Sequence, residues 1–365
     1  MAEAHISSVG DHFLVGLRPS VTLHERDQAL LRELRPAGVI LYKSNFLHDA
    51  PYHEWLQAHA RLVADIRGAI GRERIFIAID HEGGRVCRTP APITRFSYAA
   101  SWAQQAGAIG SAMGRELSSL GINLNFAPVL DIHSNPANPV IGPRAFGETS
   151  EQVIGAALAF MSGLQAQQVL ACGKHFPGHG DTDSDSHHEL PVLHQTLRAL
   201  RERELEPFAA AIRAGIAMIM TGHIMLPAVD ALAPVTLSYR FNQQLLREQL
   251  GFGGVIVSDD VGMRAVSGLF ADPAAAPKLI CAGADMLMIS AHWTDTDRCR
   301  GFARALIAAQ DEGSMPAERS AQSRARVQAL LGRAAQPAVT ALPAEVFEQH
   351  RHSGALFQAQ TVEVV

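Results

Sequence analysis

Side chains that can transfer protons or bind metals are concentrated in residues 174–188, KHFPGHGDTDSDSHH, which contain four histidines, three aspartates and one lysine. Pro177, Gly178 and Gly180 exclude a helix here and predict a long loop. Long loops within compact domains are usually functional or disordered. Metal binding, acid/base chemistry and a merely solvated loop are three interpretations of this composition, and we favour acid/base chemistry.

The spacing of the imidazoles supports this choice. His175 and His179 stand four residues apart, as zinc ligands on a helix would, but a proline–glycine turn lies between them. Asp185 and His187 are two residues apart in the loop and can form a carboxylate–imidazole pair. In such a pair the aspartate orients the ring and favours its protonated form, so the imidazole can donate a proton and later accept one.

Charged and polar residues also stand where the apolar runs of the chain stop. A single carboxylate in such a place is often only the cap of the next helix. Several of them at the ends of different strands are harder to explain by capping and predict a shared site. These residues are Asp80, Asp131, Lys174, His175, His223, Ser258, Asp259 and Asp260.

The apolar runs themselves are eight candidate parallel strands, separated by segments with helical periodicity such as 53–67, 151–167 and 197–215. No GxGxxG motif follows an early strand, which argues against a doubly wound dinucleotide-binding sheet. We therefore predict an α/β fold, a single (β/α)8 TIM-type barrel. The candidate strands are 12–17, 37–42, 74–80, 122–131, 169–176, 216–224, 253–260 and 284–290.

The chain is predicted to hold one domain. Two helices that complete the barrel wall are predicted at residues 294–313 and 316–333, so the barrel is assigned to residues 1–333. Residues 334–365 contain two prolines and a polar QHRHSG patch, which predict a docked or loose C-terminal tail.

Composition narrows the class of protein. The 365 residues are 47% hydrophobic and 18% charged, as in an ordinary globular protein, and the net charge of -5 offers no basic field for nucleic acid or anionic lipid. We find no signal peptide and no stretch of roughly 18 apolar residues. The four cysteines are widely spaced, which suggests free thiols. We expect a cytoplasmic monomer that acts on a small molecule, without nucleic acid or membrane partners and without a metal or other cofactor.

Five motifs together resemble the family 3 glycoside hydrolases, in particular the single-domain bacterial β-N-acetylglucosaminidases that recycle cell-wall muropeptides. The resemblance extends from about residue 12 to about residue 295. Two positions depart from it, because many members carry glutamine where His81 stands and a polar residue where Pro143 stands. The motifs are IAIDHEGGRVCR, NLNFAPVLDI, IGPRAFG, KHFPGHGDTDSDSHHELP and VIVSDDVGM.

The resemblance implies a role for each matching residue. Asp259 would be the nucleophile of a retaining mechanism, and His187, oriented by Asp185, would be the general acid/base, which departs from the usual pair of carboxylates. The natural substrates would be N-acetylglucosaminyl-1,6-anhydromuramyl-peptides. The implied substrate-binding residues are Asp80, Arg88, Arg144, Lys174 and His175. Asp260 is the rival nucleophile, but strand alternation predicts that its side chain points away if Asp259 faces the barrel axis.

Three alternatives stay open from the sequence. A metal-dependent amidohydrolase uses the same barrel but normally begins with an HxH pair, which HFLVGLRP at residues 12–19 lacks. A sugar-binding protein without activity would be expected to lack the nucleophile or the acid/base. A β-glucosidase of the same family usually carries a second domain.

Overall fold

The computed structural model describes residues 6–184, 189–291 and 297–357. Eight parallel strands pair in chain order, and β1 also pairs with β8, so the sheet closes on itself. The prediction of a (β/α)8 barrel is therefore confirmed. The strands are β1 (Phe13–Gly16), β2 (Gly38–Leu41), β3 (Phe76–Ile79), β4 (Leu124–Asn125), β5 (Leu170–Phe176), β6 (Met218–Thr221), β7 (Val255–Asp260) and β8 (Met286–Ile289).

Helices surround this barrel, and none of those in the described ranges has the length and hydropathy of a membrane span. A π-helix covers Arg240–Gln249. The α-helices are α1 (Glu25–Leu34), α2 (Tyr52–Ile70), α3 (Ala99–Trp102), α4 (Ala106–Ser119), α5 (Ser150–Ala166), α6 (Leu197–Glu202), α7 (Leu205–Arg213), α8 (Arg264–Ser267), α9 (Ala275–Cys281), α10 (Arg298–Asp311), α11 (Ala317–Arg333) and α12 (Ala344–Arg351). Short 3₁₀-helices cover Ile6–His12, Lys43–Asn45, Ala103–Gln105, Gly142–Arg144 and Val235–Leu237.

The segment 197–215, predicted from its periodicity to contribute to the outer helices, forms two helices, α6 and α7. Pro207 explains the break between them. In a continuous helix its ring would clash with the carbonyl group of Arg203, four residues earlier. The chain leaves helical geometry at Arg203, and Pro207 then lies in the first turn of α7, where a proline is tolerated.

The fourth strand is much shorter than its apolar run because Pro128 cannot donate to the sheet. Asparagine side chains replace part of the missing ladder. Asn125 accepts from the N–H of His81 at 3.0 Å and donates to its carbonyl at 2.8 Å. Pairing with β5 resumes at Val129, which lies opposite Lys174. The residues that end the third, fourth and fifth strands are therefore held in fixed relative positions.

Alternate strand residues fill the barrel interior, including Leu14, Phe76 and Val257. The interior is closed at the end where the strands begin by Val327 and Leu331 of α11. The remaining apolar side chains pack between the strands and the outer helices. The opposite end, where the strands finish, is lined by polar groups.

Residues 334–357 lie against the barrel, although the predicted domain boundary at residue 333 stays a prediction. Phe347 of α12 is buried, and its ring centroid lies 5.4 Å from that of Tyr52 in α2. The Tyr52 hydroxyl accepts from the N–H of Leu342 at 3.0 Å. This part of the predicted tail is therefore docked.

Candidate active site

The carboxyl ends of the strands surround a cavity of about 620 Å³. Active sites of (β/α)8 barrels lie at this end, and a concave site with a few converging polar groups is typical of ligand binding. Its polar lining comes from several different strands. The principal lining residues are Tyr42, Asp80, Glu82, Arg85, Arg88, Arg144, Lys174, His175, His179, Asp259, Asp260 and Ser290, with Met220, Met263 and Met288 among the apolar ones.

An ion-pair network forms one wall of the cavity. The ammonium group of Lys174 lies 2.8 Å from Asp80 Oδ1 and 2.6 Å from Glu82 Oε1. Both Glu82 oxygens also accept from the guanidinium group of Arg144, each at 2.8 Å. Because Lys174 is only 3% exposed, its charge would be very costly without these two carboxylates.

The network keeps its buried groups ionised. Burial would lower the pKa of Lys174, but Asp80 and Glu82 outweigh it, and the pKa is raised. Burial would raise the pKa of Glu82, but Arg144 and Lys174 outweigh it and hold the pKa well below its ordinary value. Lys174 and Glu82 therefore both stay charged at neutral pH. A fixed array of charged donors and acceptors suits a ligand rich in hydroxyl groups.

The local sequence explains how these side chains meet. Asp80 and Glu82 follow β3 and are two residues apart, so strand alternation directs both to the same side. Gly83 then turns the chain at φ +104°, and a Cβ atom there would lie 2.4 Å from the carbonyl oxygen of Ser97. The residue that follows Glu82 is thus restricted to glycine by both conformation and space.

Arg88 extends the network toward the second strand. Its Nη2 atom lies 3.8 Å from Asp80 Oδ2, and its Cζ atom lies 5.7 Å from the ring centroid of Tyr42. Burial raises the pKa of Tyr42 well above its ordinary value, so the hydroxyl stays protonated and can donate a hydrogen bond. This side of the cavity therefore offers both charged and neutral donors.

A buried carboxylate fixes the ring of His175. Asp131 is fully buried, and its Oδ2 atom lies 2.7 Å from His175 Nδ1. The same carboxylate accepts from the N–H of His175 at 3.1 Å and from the N–H of His179 at 2.7 Å. Burial would raise the pKa of Asp131, but these partners outweigh it and lower the pKa. An Nδ1–H bond to this carboxylate leaves His175 Nε2 available to a ligand.

The two aspartates at the end of β7 have different surroundings. The carboxylate of Asp260 accepts from the N–H of Gly262 at 2.9 Å, from the N–H of Ser290 at 3.1 Å and from the Ser290 hydroxyl. In the described part of the chain, the carboxylate of Asp259 accepts one hydrogen bond, from the N–H of Asp260 at 2.8 Å. Asp260 therefore links β7 to β8, whereas Asp259 has oxygen atoms available to a ligand.

Asp259 is also held in its ionised form. Burial would raise its pKa, but the imidazoles of His223 and His175 and the N–H of Asp260 outweigh it, and the pKa is lowered. His223 is buried and bonded at both ring nitrogens, to Thr236 Oγ1 at 2.7 Å and to the carbonyl oxygen of Asp260 at 3.0 Å. An ionised carboxylate that lines a polar cavity and has few partners among the described residues can act as a nucleophile.

Comparison with known proteins assigns this chain to a family. The sequence profile of the glycosyl hydrolase family 3 N terminal domain matches residues 14–330, from β1 to the last turn of α11. The chain belongs to glycosyl hydrolase family 3. The family predicted from the five motifs is therefore confirmed.

Individual known proteins also align over most of this chain. The beta-hexosaminidase of Methylococcus capsulatus is 38% identical over 286 residues, which cover 76% of this chain and 80% of that protein. The beta-hexosaminidase A of Pseudoalteromonas piscicida is 38% identical over 277 residues, and these cover 69% of this chain but only 46% of that longer protein. The crystal structure of NagZ from Neisseria gonorrhoeae in complex with N-trifluoroacetyl-D-glucosamine superposes with a TM-score of 0.71 at 29% identity and covers 93% of this chain and 92% of that one.

Most residues predicted for the family 3 site lie in one cavity. The residues that line it are Asp80, Arg88, Arg144, Lys174, His175 and Asp259. Asp185 and His187 lie outside the described residues, so their roles stay predictions. Glu82 was not among the predicted site residues, and Asp131 was expected at this end of the barrel but was given no role. Glu82 stands two residues after Asp80, and this alternation was an available signal. Asp131 ends an apolar run, but nothing in the sequence indicates that it pairs with His175.

Two further histidines of the family 3 motifs are buried and neutral. Burial lowers the pKa of His81 to about 4, and its backbone is paired with Asn125. Burial, with the nearby ring of His175, lowers the pKa of His179 to about 4. His179 Nδ1 lies 2.7 Å from Thr182 Oγ1, within the loop that the motif forms. Both rings are neutral at physiological pH, and His179 lines the cavity.

Proposed function

We propose that this chain is a retaining exo-β-N-acetylglucosaminidase that cleaves N-acetylglucosaminyl-1,6-anhydromuramyl-peptides in the cytoplasm, as a step of cell-wall recycling. Its enzyme class, a glycoside hydrolase with β-N-acetylhexosaminidase activity, follows from the family and its beta-hexosaminidase relatives, and that prediction is confirmed. The finer proposal rests chiefly on Asp259, an ionised carboxylate with one hydrogen bond from the described residues that faces an ionic wall across one cavity.

The first step forms a covalent bond to the enzyme. Asp80, Arg88, Arg144, Lys174 and His175 would hold the hydroxyl and acetamido groups of the terminal sugar through charge-assisted hydrogen bonds. Asp259 would attack the anomeric carbon while His187 donates a proton to the leaving oxygen. The glycosidic bond breaks, the aglycone leaves, and a glycosyl ester of Asp259 remains.

The second step releases the sugar. His187, now neutral, would accept a proton from water, whose oxygen attacks the anomeric carbon and displaces Asp259. Asp185 would orient the imidazole and stabilise its protonated form. Two inversions give N-acetylglucosamine in the β configuration. The N-trifluoroacetyl-D-glucosamine bound to the related NagZ supports a small sugar with a 2-acylamino group as the ligand.

The activity is tested by hydrolysis of an aryl N-acetyl-β-glucosaminide beside the plain β-glucoside, with and without a chelator. We expect cleavage of the N-acetyl substrate alone, insensitive to the chelator, with the β-anomer appearing first by NMR. Loss of activity with chelator would support the amidohydrolase alternative, and binding without cleavage would support the sugar-binding protein. Initial release of the α-anomer would contradict the retaining mechanism.

The proton-transfer role is tested with His187→Ala. The kcat/KM value for a muropeptide should fall by roughly 10²- to 10⁴-fold, because its leaving oxygen needs a proton. For an aryl substrate with a good leaving group, kcat/KM should change little, since that value reports the first step. His188→Ala is the matched control from the same loop. Equal losses on both substrates, or equal effects of the two variants, would show that His187 is not the acid/base.

A further inference from the structure

The loop of residues 81–98, here called the site loop, carries part of the cavity wall. It follows β3 and supplies Glu82, Arg85 and Arg88. Its outer side contacts residues 353–357, here called the C-terminal strap. The strap lies beyond residue 330, where the match to the family profile ends. The site loop is therefore held between the cavity and a segment outside the matched region.

The two halves of the site loop support each other. The N–H of Glu82 donates to the carbonyl oxygen of Val86 at 2.9 Å, which closes a tight turn. The N–H of Gly84 donates to the carbonyl oxygens of Phe96 at 2.9 Å and Ser97 at 3.0 Å. A displacement of residues 96 and 97 would therefore be transmitted to the turn that positions Glu82.

The C-terminal strap adds an antiparallel partner to that outer half. The N–H of Ser97 donates to the carbonyl oxygen of Ala355 at 2.7 Å, and the N–H of Phe357 donates to the carbonyl oxygen of Arg95 at 2.8 Å. The Phe357 ring packs edge-to-face on Tyr98, with centroids 5.7 Å apart. The Arg95 guanidinium group lies 5.0 Å from the Phe357 ring centroid. Both backbone and side chains thus fix residues 95–98.

A second contact ties the site loop to α12, which precedes the strap. Glu116 accepts from the N–H and the hydroxyl group of Thr94, each at 2.7 Å. The same buried carboxylate lies 2.7 Å from Nδ1 of His350 in α12. Glu116 therefore joins the site loop, helix α4 and helix α12 in one buried cluster.

We propose that the C-terminal strap is a positioning element for sugar binding, which holds the site loop so that Glu82 and Arg88 stay in place at the cavity. This proposal rests on the proposed function. Preorganised binding groups lower the cost of ordering the site when the ligand binds. Asp259 is supported separately, through β7 and β8, so loss of the strap should weaken sugar binding more than it slows the chemical step.

Phe357→Ala tests the proposal, with Leu356→Ala as the matched control because Leu356 is 41% exposed. We expect Phe357→Ala to raise the KM for the aryl N-acetyl-β-glucosaminide about tenfold, while kcat changes by less than about twofold. Phe357→Tyr, which keeps the ring, should restore KM. Amide hydrogen exchange at Glu82 and Gly84 should accelerate in Phe357→Ala but not at β7.

Phe357→Leu serves the same test if the alanine variant does not fold, since it keeps most of the apolar volume but removes the ring. Unchanged KM and unchanged exchange at Gly84 would overturn the proposal, as would equal effects of Phe357→Ala and Leu356→Ala. A fall in kcat with unchanged KM would also overturn it. Failure of the proposed function would show itself differently, as absent cleavage by the unmodified chain, and the exchange measurement would still report on the strap.

Discussion

The two ends of the barrel both bury carboxylates among cations, but they satisfy them differently. Where the strands begin, Asp285 is fully buried and accepts from the N–H of Ile256 at 2.9 Å and from the Ser323 hydroxyl at 2.9 Å. Guanidinium groups surround the same carboxylate, from Arg247, from Arg319 at 3.3 Å and from Arg326 at 3.1 Å. Both of its oxygens are committed to the protein.

Where the strands end, the carboxylate of Asp259 accepts one hydrogen bond from the described residues and borders the cavity. Among the residues that the structure describes, its charge is balanced by groups that surround the cavity and not by a direct ion pair. Carboxylates whose partners are complete contribute to the fold, and a carboxylate with unused acceptors is available for chemistry. The comparison predicts that Asp285 governs stability and Asp259 governs turnover.

The largest effect is expected from Asp259→Asn, which keeps the shape of the side chain but removes its nucleophilic charge. The kcat value should fall about 10⁴-fold, which corresponds to about 5 kcal/mol in the activation free energy. The free energy of unfolding should change little, because the carboxylate has few partners among the described residues. Steady-state kinetics and urea unfolding of the same preparation measure both. Retention of more than a tenth of the activity would exclude Asp259 as the nucleophile.

The opposite result is expected from Asp285→Ala. Removal of this carboxylate leaves buried guanidinium groups without a counter-charge, which costs about 3–5 kcal/mol in the free energy of unfolding. The kcat/KM value per folded molecule should stay within about twofold, because the cavity lies at the other end of the barrel. Asp285→Asn gives a milder test if the alanine variant does not fold. A stability change no larger than that of Asp259→Asn would remove the distinction between the two ends.

The sequence predicted the parts of this design that depend on short-range patterns. Apolar runs located all eight strands, and the residues that end β3, β5 and β7 were expected to share a site, as the structure shows. Glu82 was missed, although its spacing from Asp80 placed it on the same side.

Other features could not be predicted because they join distant parts of the chain. His175 and Asp131 meet across neighbouring strands, and the strap residue Ala355 bonds to Ser97, more than 250 positions earlier. No periodicity specifies such contacts, which depend on how the closed barrel brings loops together. The break between α6 and α7 was a different omission, since Pro207 was visible in the sequence and its clash with a carbonyl four residues earlier is a local effect.

The smallest expected effect is on the pH dependence of the free energy of unfolding, to which the two ends of the barrel should contribute alike. Burial lowers the pKa of His179, beside the cavity, to about 4, and also lowers the pKa of His12, beside Asp285. A histidine in the unfolded chain has a pKa near 6.5, whereas the pKa values of His179 and His12 in the folded chain are lower. The chain therefore keeps its full stability above pH 6.5. As the pH falls toward 4, protonation of these histidines in the unfolded chain lowers the free energy of unfolding. The carboxylates with lowered pKa lose their contribution only below about pH 4.

Urea unfolding of the unmodified chain, His179→Gln and His12→Gln at pH 7 and pH 5 tests this agreement. Between these pH values, protonation of the unfolded His179 alone should cost about 2 kcal/mol. Each glutamine variant should show a smaller loss on acidification than the unmodified chain, whatever its stability at pH 7. If the loss is the same in all three proteins, neither imidazole ring is held neutral in the folded chain.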